Sequence, residues 1–121
     1  MKIILDANFL VYCAKQKLDY KERINEIINT GYGLVVPEQV ILELNSLREK
    51  AEKAKDKQAA KLALQLLKVN KVKILKIPGK NADDAILNIS KGNIIATLDR
   101  ALRFKAERVI TVSSEKKLRL I

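Results

Sequence analysis

The chain has 121 residues, is 48% hydrophobic, and carries 24 Lys and Arg against 14 Asp and Glu, a net charge of +10. That length and apolar content suit one domain, spanning residues 1–121, whose core needs no disulfide or structural zinc. A single Cys and no His exclude Ser–His and Cys–His nucleophile systems, zinc fingers and His-based catalytic zinc sites.

Short apolar runs alternate with helical patterns. Lys2-Ile3-Ile4-Leu5 reads as a buried strand that stops at Asp6. Asn8 to Lys15 and Lys21 to Asn29 read as helices, the second with Ile24, Ile27 and Ile28 on one face. Gly31-Tyr32-Gly33 leads into a second strand, Leu34-Val35-Val36. Pro37 then opens a helix with Val40, Ile41, Leu44 and Leu47 as its apolar stripe. Arg48 to Lys57 is almost wholly charged or Ala, which predicts an exposed helix end or a connection. A helix over Gln58 to Val69 follows, then a strand from Val72 to Ile77 closed by Pro78-Gly79. Asp83 to Ser90 reads as a short helix, Asn93 to Leu98 as a fourth strand, Arg100 to Lys105 as a helix and Arg108 to Val112 as a fifth strand. The alternation implies an α/β domain with a mainly parallel sheet of about five strands covered on both faces.

Cys13 sits in an apolar segment and reads as a small core residue. No apolar run reaches membrane-spanning length, and MKIILDANF meets an acid and an amide too early for a signal peptide. The expectation is a cytoplasmic protein with no membrane partner. The basic excess favours a polyanion such as RNA or DNA, although a lysine-rich solvated surface of the heat-adapted kind gives the same count.

In an open parallel sheet, function gathers where strands end and helices begin. Asp6 and Asp99 follow strands directly, Asp83 and Asp84 open the helix before the fourth strand, and Glu43 lies between Leu42 and Leu44, away from the most exposed face. Taken singly, each Asp is explained as a helix cap and Glu43 as a solvated residue. Taken together, acids crowded at one sheet edge repel one another, and a hard divalent cation removes that repulsion. Such an ion, Mg²⁺ or Mn²⁺, can bind a scissile phosphate and acidify a water.

The segments ILDANFLVY, VPEQVILEL, ADDAIL and IIATLDRALR, in this order, resemble the PIN-domain nucleases over nearly the whole chain. The resemblance implies a three-layer PIN-like fold and Mg²⁺- or Mn²⁺-dependent hydrolysis of single-stranded RNA, leaving 5′-phosphate and 3′-hydroxyl ends. It makes Asp6, Glu43, Asp84 and Asp99 the catalytic metal ligands, with Asp83 the alternative to Asp84. Asn8 and Thr97 fall where the family keeps small polar residues that orient ligands or water. Leu98 departs from the Asn that often precedes the last acid. Within the family the chain is most similar to the archaeal branch related to ribosomal-RNA processing nucleases, while VapC-type toxins share the same acids. These affinities imply a ribosome-assembly partner or an antitoxin, and a homodimer formed through the helices Lys21–Asn29 and Gln58–Val69. A non-catalytic PIN-like RNA-binding or assembly module is the reading from another class. A response-regulator-like domain fits less well, because no Asp ends the strands at Leu34-Val35-Val36 or Val72-Lys73-Ile74.

The last 22 residues, Arg100 to Ile121, hold seven cations against Glu107 and Glu115, half of the net +10. Arg100 and Arg103 lie close enough after Asp99 to position an RNA backbone near the metal, or else are solvated helix residues. With few aromatics and no Trp, the composition gives little basis for base stacking.

Overall fold

A computed structural model describes residues 1–121. In chain order it runs β1 (Lys2–Leu5), α1 (Ala7–Gln16), α2 (Tyr20–Ile27), β2 (Gly33–Pro37), α3 (Glu38–Lys50) and α4 (Ala54–Val69). There follow β3 (Lys73–Leu75), α5 (Ala82–Asn88), β4 (Ile94–Ala96), α6 (Arg100–Lys105), β5 (Val109–Val112) and β6 (Leu118–Leu120). The strands form one sheet in the order β3-β2-β1-β4-β5-β6. All neighbours are parallel except β5 and β6, which run antiparallel.

Ile3, Ile4 and Leu5 of β1, and Ile94, Ile95 and Ala96 of β4, are each 0% exposed. Burial of consecutive residues in a strand requires cover on both faces, which explains why these strands are unbroken apolar runs. From β1 the chain first builds outward through β2 to β3, then returns to the other side of β1 as β4. Right-handed crossovers moving in opposite directions put their helices on opposite faces, giving a three-layer α/β domain. The strand order reverses between β1 and β4, so a crevice opens outside their carboxyl ends.

Four elements differ from the sequence expectation, among them the fourth strand, which covers only Ile94–Ala96 of the expected Asn93–Leu98. A sixth strand, β6, adds an antiparallel edge next to β5; its three residues are too few to show an alternation. The charged stretch Arg48–Lys57 divides into the end of α3, a short turn and the first turn of α4, which starts at Ala54 rather than Gln58. An ion pair from Lys15 Nζ to Asp56 Oδ1 at 2.6 Å ties that turn to α1. The third strand covers only Lys73–Leu75 of the expected Val72–Ile77. It lies at the sheet edge, and the Gln39 side-chain amide donates to the Ile77 carbonyl at 2.7 Å.

That same amide donates to the Gly79 carbonyl at 3.2 Å, and Asn88 donates to the Pro78 carbonyl. The loop is thereby pressed against α5, so closely that a Cβ on Gly79 would lie 2.6 Å from the backbone nitrogen of Ala85. Replacing Gly79 with Ala forces α5 to shift, with an expected cost of about 1–3 kcal/mol from overpacking. A thermal melt of Gly79→Ala should therefore fall below that of the parent chain. An unchanged melt would show that α5 yields freely.

Candidate active site

β1 ends at Asp6 because the next residue begins α1, with Asp6 as its N-cap. The Asp6 backbone N–H still donates to the Ala96 carbonyl of β4 at 3.0 Å, so its position is set by the sheet. The side chain is held at both oxygens. Oδ1 accepts from the Ala7 N–H at 2.8 Å, and Oδ2 accepts from the Thr97 hydroxyl at 2.6 Å. The residue is only 4% exposed, and burial pushes its pKa up. The bonds from Thr97 and Ala7 oppose that rise, while the negative charges of Asp83 and Asp99 add to it.

Thr97 is itself 0% exposed, and its Oγ1 also accepts from the Asp99 N–H at 3.1 Å. Asn8 Oδ1 accepts from the Leu98 N–H at 3.1 Å and lies 3.3 Å from the Thr97 hydroxyl. Thr97 has one hydroxyl proton, and the shorter, charge-assisted contact to Asp6 takes it. Asn8 and Thr97 thus lace the end of β1 to the turn after β4. Leu98 enters that lacing through its backbone. Asp99 caps α6, its Oδ1 accepting from the Ala101 N–H at 2.8 Å.

Glu43 sits in mid-α3 and is exposed, contrary to the shielded position expected from its leucine neighbours. Leu44 is buried, but Leu42 is 67% exposed, so the pair brackets the helix surface rather than a buried stripe. Partial removal of the Glu43 carboxyl from water raises its pKa, and the charges of Asp6 and Asp83 raise it further. Asp83 and Glu43 line one cleft of about 400 Å³ together with Gln39, Leu42 and Lys80. Asp84 lines a different hollow, beside Gly79, Lys80, Leu87 and Asn88. The fold therefore brings together Asp6, Glu43, Asp83 and Asp99, and turns Asp84 aside. Adjacent helical residues point about 100° apart, and here Asp83 borders the cleft of Glu43 while Asp84 borders the other hollow. Sequence alone leaves the choice open.

Lys80 and Gln39 carry no signal in the sequence. Lys80 brings a cation to the Glu43–Asp83 cleft, and Gln39 holds the loop that sets the start of α5. Neither belongs to a pattern that spacing could reveal. A larger groove of about 660 Å³ begins at Asn8 and Glu43 and runs past Tyr12 and Leu47 to Lys15 and Lys50. Arg100 and Arg103 stand on α6, directly after Asp99, with Arg100 exposed and Arg103 half-buried.

As the side chains lie, no three carboxylates converge on one point tightly enough to ligate an ion unaided. The donor set nevertheless fits a hard divalent cation. Every candidate donor is a carboxylate oxygen, and Asp83 and Glu43 are exposed side chains free to swing inward. Mg²⁺ retains several waters and needs only one or two protein carboxylates.

Because the folded pKa of Asp6 is raised above its unfolded value, ionising it opposes folding. The linked stability is intact below the unfolded pKa, near pH 4, and is lost as pH rises through the folded value. At pH 7 without divalent cations, Asp6→Asn should raise the melting temperature by a few degrees, roughly 3–6 °C for each kcal/mol relieved. The gain should close below pH 4. A lower melt for Asp6→Asn at pH 7 would mean that the Thr97 and Ala7 bonds outweigh burial and repulsion.

Residues 3–115 match the PIN-like domain family. Ribonuclease VapC4 of Methanocaldococcus jannaschii is 36% identical over 108 residues, which span 86% of this chain and 81% of that protein. The structure of the PIN domain endonuclease Utp24 superposes with a TM-score of 0.78 at 23% identity, covering 98% of this chain and 90% of the other. The crystal structure of VapBC2 from Rickettsia felis, bound to a DNA fragment from their promoter, aligns with a TM-score of 0.63 at 14% identity. It covers 92% of this chain and 98% of that one. The two structural matches agree in fold, and the sequence match carries the kinship: the chain belongs to the PIN-like domain family.

Proposed function

We propose that the chain is a metal-dependent endoribonuclease that hydrolyses phosphodiester bonds of single-stranded RNA at the Asp6 centre. The observation that carries this reading is the gathering of Asp6, Glu43, Asp83 and Asp99 around the switch point of a chain whose net charge is +10. Asp6, Asp83 and Asp99 would hold a Mg²⁺ or Mn²⁺ ion, with Glu43 as a fourth carboxylate and Asp83 rather than Asp84 as the acid contributed by α5. The bound cation would neutralise these acids, polarise the scissile phosphate and acidify a water.

The protein's own part is positioning. Thr97 and Ala7 fix the two oxygens of Asp6, and Asn8 keeps the turn after β4 against α1. Hydrolysis breaks the bond from phosphorus to the 3′ oxygen, leaving 3′-hydroxyl and 5′-phosphate ends. Arg100 and Arg103 draw the backbone toward the acids, where the phosphate charge would otherwise be repelled. The 36% identity to a VapC ribonuclease supports RNA as substrate and an antitoxin as partner. Ribosomal-RNA processing, implied by the sequence resemblance to the archaeal branch of the family, is the second reading.

Labelled single-stranded RNA incubated with Mn²⁺ or Mg²⁺ should be cut to 5′-phosphate products, and chelator should stop the reaction. Asp6→Asn and Asp83→Asn should each lower the rate more than about 100-fold, and Asp84→Asn only a few-fold. Thr97→Val, which removes only the hydroxyl holding Asp6, should weaken metal binding by about 10–100-fold. RNA bound but never cut under any metal would replace the enzyme with a binding module. Asp84→Asn as damaging as Asp6→Asn would reverse the choice between the two acids. Replacing both Arg100 and Arg103 with Ala should weaken RNA binding and flatten its dependence on salt, the slope falling by roughly one for each phosphate no longer neutralised. An unchanged slope would remove them from the interface.

A further inference from the structure

Phe104 is 88% exposed, more than any other large apolar side chain in the protein. Leu102, two residues earlier, is 2% exposed, so α6 turns Leu102 into the core and Phe104 away from it. Arg100 precedes Phe104 by four residues and lies on the same helix face, one turn nearer the acids. Arg103 and Lys105 flank the ring in sequence, and Arg108 follows, with Glu107 the only acid between Arg100 and Arg108. Asp99, the N-cap of α6, is five residues from Phe104, about 7.5 Å along the helix axis. An apolar ring left in water among cations, one step from a cluster of carboxylates, is complementary to a ligand that is both anionic and flat.

We infer that Phe104 is a stacking platform for a base of single-stranded RNA, with Arg100 and Arg103 contacting the phosphates on either side of that nucleotide. The inference rests on RNA being the ligand of the Asp6 centre, and it extends the binding site from the acids along the exposed face of α6. Charge decides the occupant. A protein partner covering Phe104 would have to desolvate three or four cations around a single ring, whereas a nucleotide strand pairs them with phosphates. Stacking is tolerant of base identity, so this platform adds affinity and sets the direction of the strand without reading sequence.

The test measures RNA binding by fluorescence anisotropy in chelator, where nothing is cut, on the whole chain. Phe104→Ala and Phe104→Leu should each weaken binding of a labelled single-stranded RNA about 5- to 100-fold, with melting curves unchanged. Phe104→Trp should retain the affinity. The chain has no Trp, so that variant carries a single indole whose fluorescence RNA should quench. An RNA of equal length lacking bases should bind all four proteins alike and leave the indole unquenched. Equal affinity of Phe104→Ala and the parent chain for ordinary RNA overturns the platform, as does equal quenching by baseless RNA. A parent dimer dissolved by Phe104→Ala, with RNA affinity intact, overturns it too and makes this face a contact between copies. Because binding is read without cleavage, a chain that never cuts RNA still reports on Phe104. Conversely, cleavage with Phe104→Ala binding normally would sink the platform and leave the nuclease standing.

Discussion

Asp6 is 4% exposed at the junction of the central strand with the first helix, and Asp83 and Asp99 add negative charge around it. Removing a carboxylate from water costs several kcal/mol even after the protein relaxes, while a hydrogen bond to a charged group returns about 1.5–3 kcal/mol. The two bonds from Thr97 and Ala7 therefore soften the penalty without cancelling it, which accords with the upward shift of the Asp6 pKa. The topology makes the placement unavoidable. β1 lies between β2 and β4, so whatever residue ends it must sit in the crevice where the strand order reverses.

The rest of the site is arranged around that residue at increasing exposure. Thr97 is sealed, Asp99 is half-buried, and Asp83 and Glu43 are exposed. Rigidity is thus concentrated where the sheet supplies it, and the side chains with room to move are those on α3 and α5. The surrounding cations act at short range only, since screening at physiological salt limits their reach to about 8 Å. Arg100, adjacent to Asp99 in the chain, falls within that range; most of the remaining cations serve the overall field of the molecule.

Much of this is legible in the sequence because buried parallel strands leave a strong signal. Ile3-Ile4-Leu5 and Ile94-Ile95-Ala96 are apolar without interruption, and the acid that follows each run marks the carboxyl edge. Other features leave weak signals for identifiable reasons. β6 has three residues in a basic tail, and only its pairing with β5 makes it a strand. The start of α4 is hidden among lysines and alanines whose helical character depends on packing against α1 and α3. Adjacent acids at positions 83 and 84 cannot be told apart without the rotation of α5, which the Pro78-Gly79 loop and the Gln39 amide fix from outside the motif. The exposure of Glu43 follows from α3 burying Val40 and Leu44 but not Leu42, a helical phase that local hydrophobicity blurs. Phe104 is invisible to composition, because counting aromatics says nothing of where a single one points.

The bond from Thr97 to Asp6 joins residues 91 positions apart in the chain. The amide at the start of β1 is likewise capped by Asn93, again across 91 positions. A ribosome making this protein therefore releases the first acid early and the Thr97 hydroxyl that holds it much later. Until β4 is made, the central strand can pair with β2 on one side only, and Asp6 lacks the Thr97 hydroxyl and the Ala96 carbonyl that hold it. The growing chain cannot assemble its acidic centre before residues 93–97 have been made, so any nuclease activity has to wait until the strands on both sides of β1 exist.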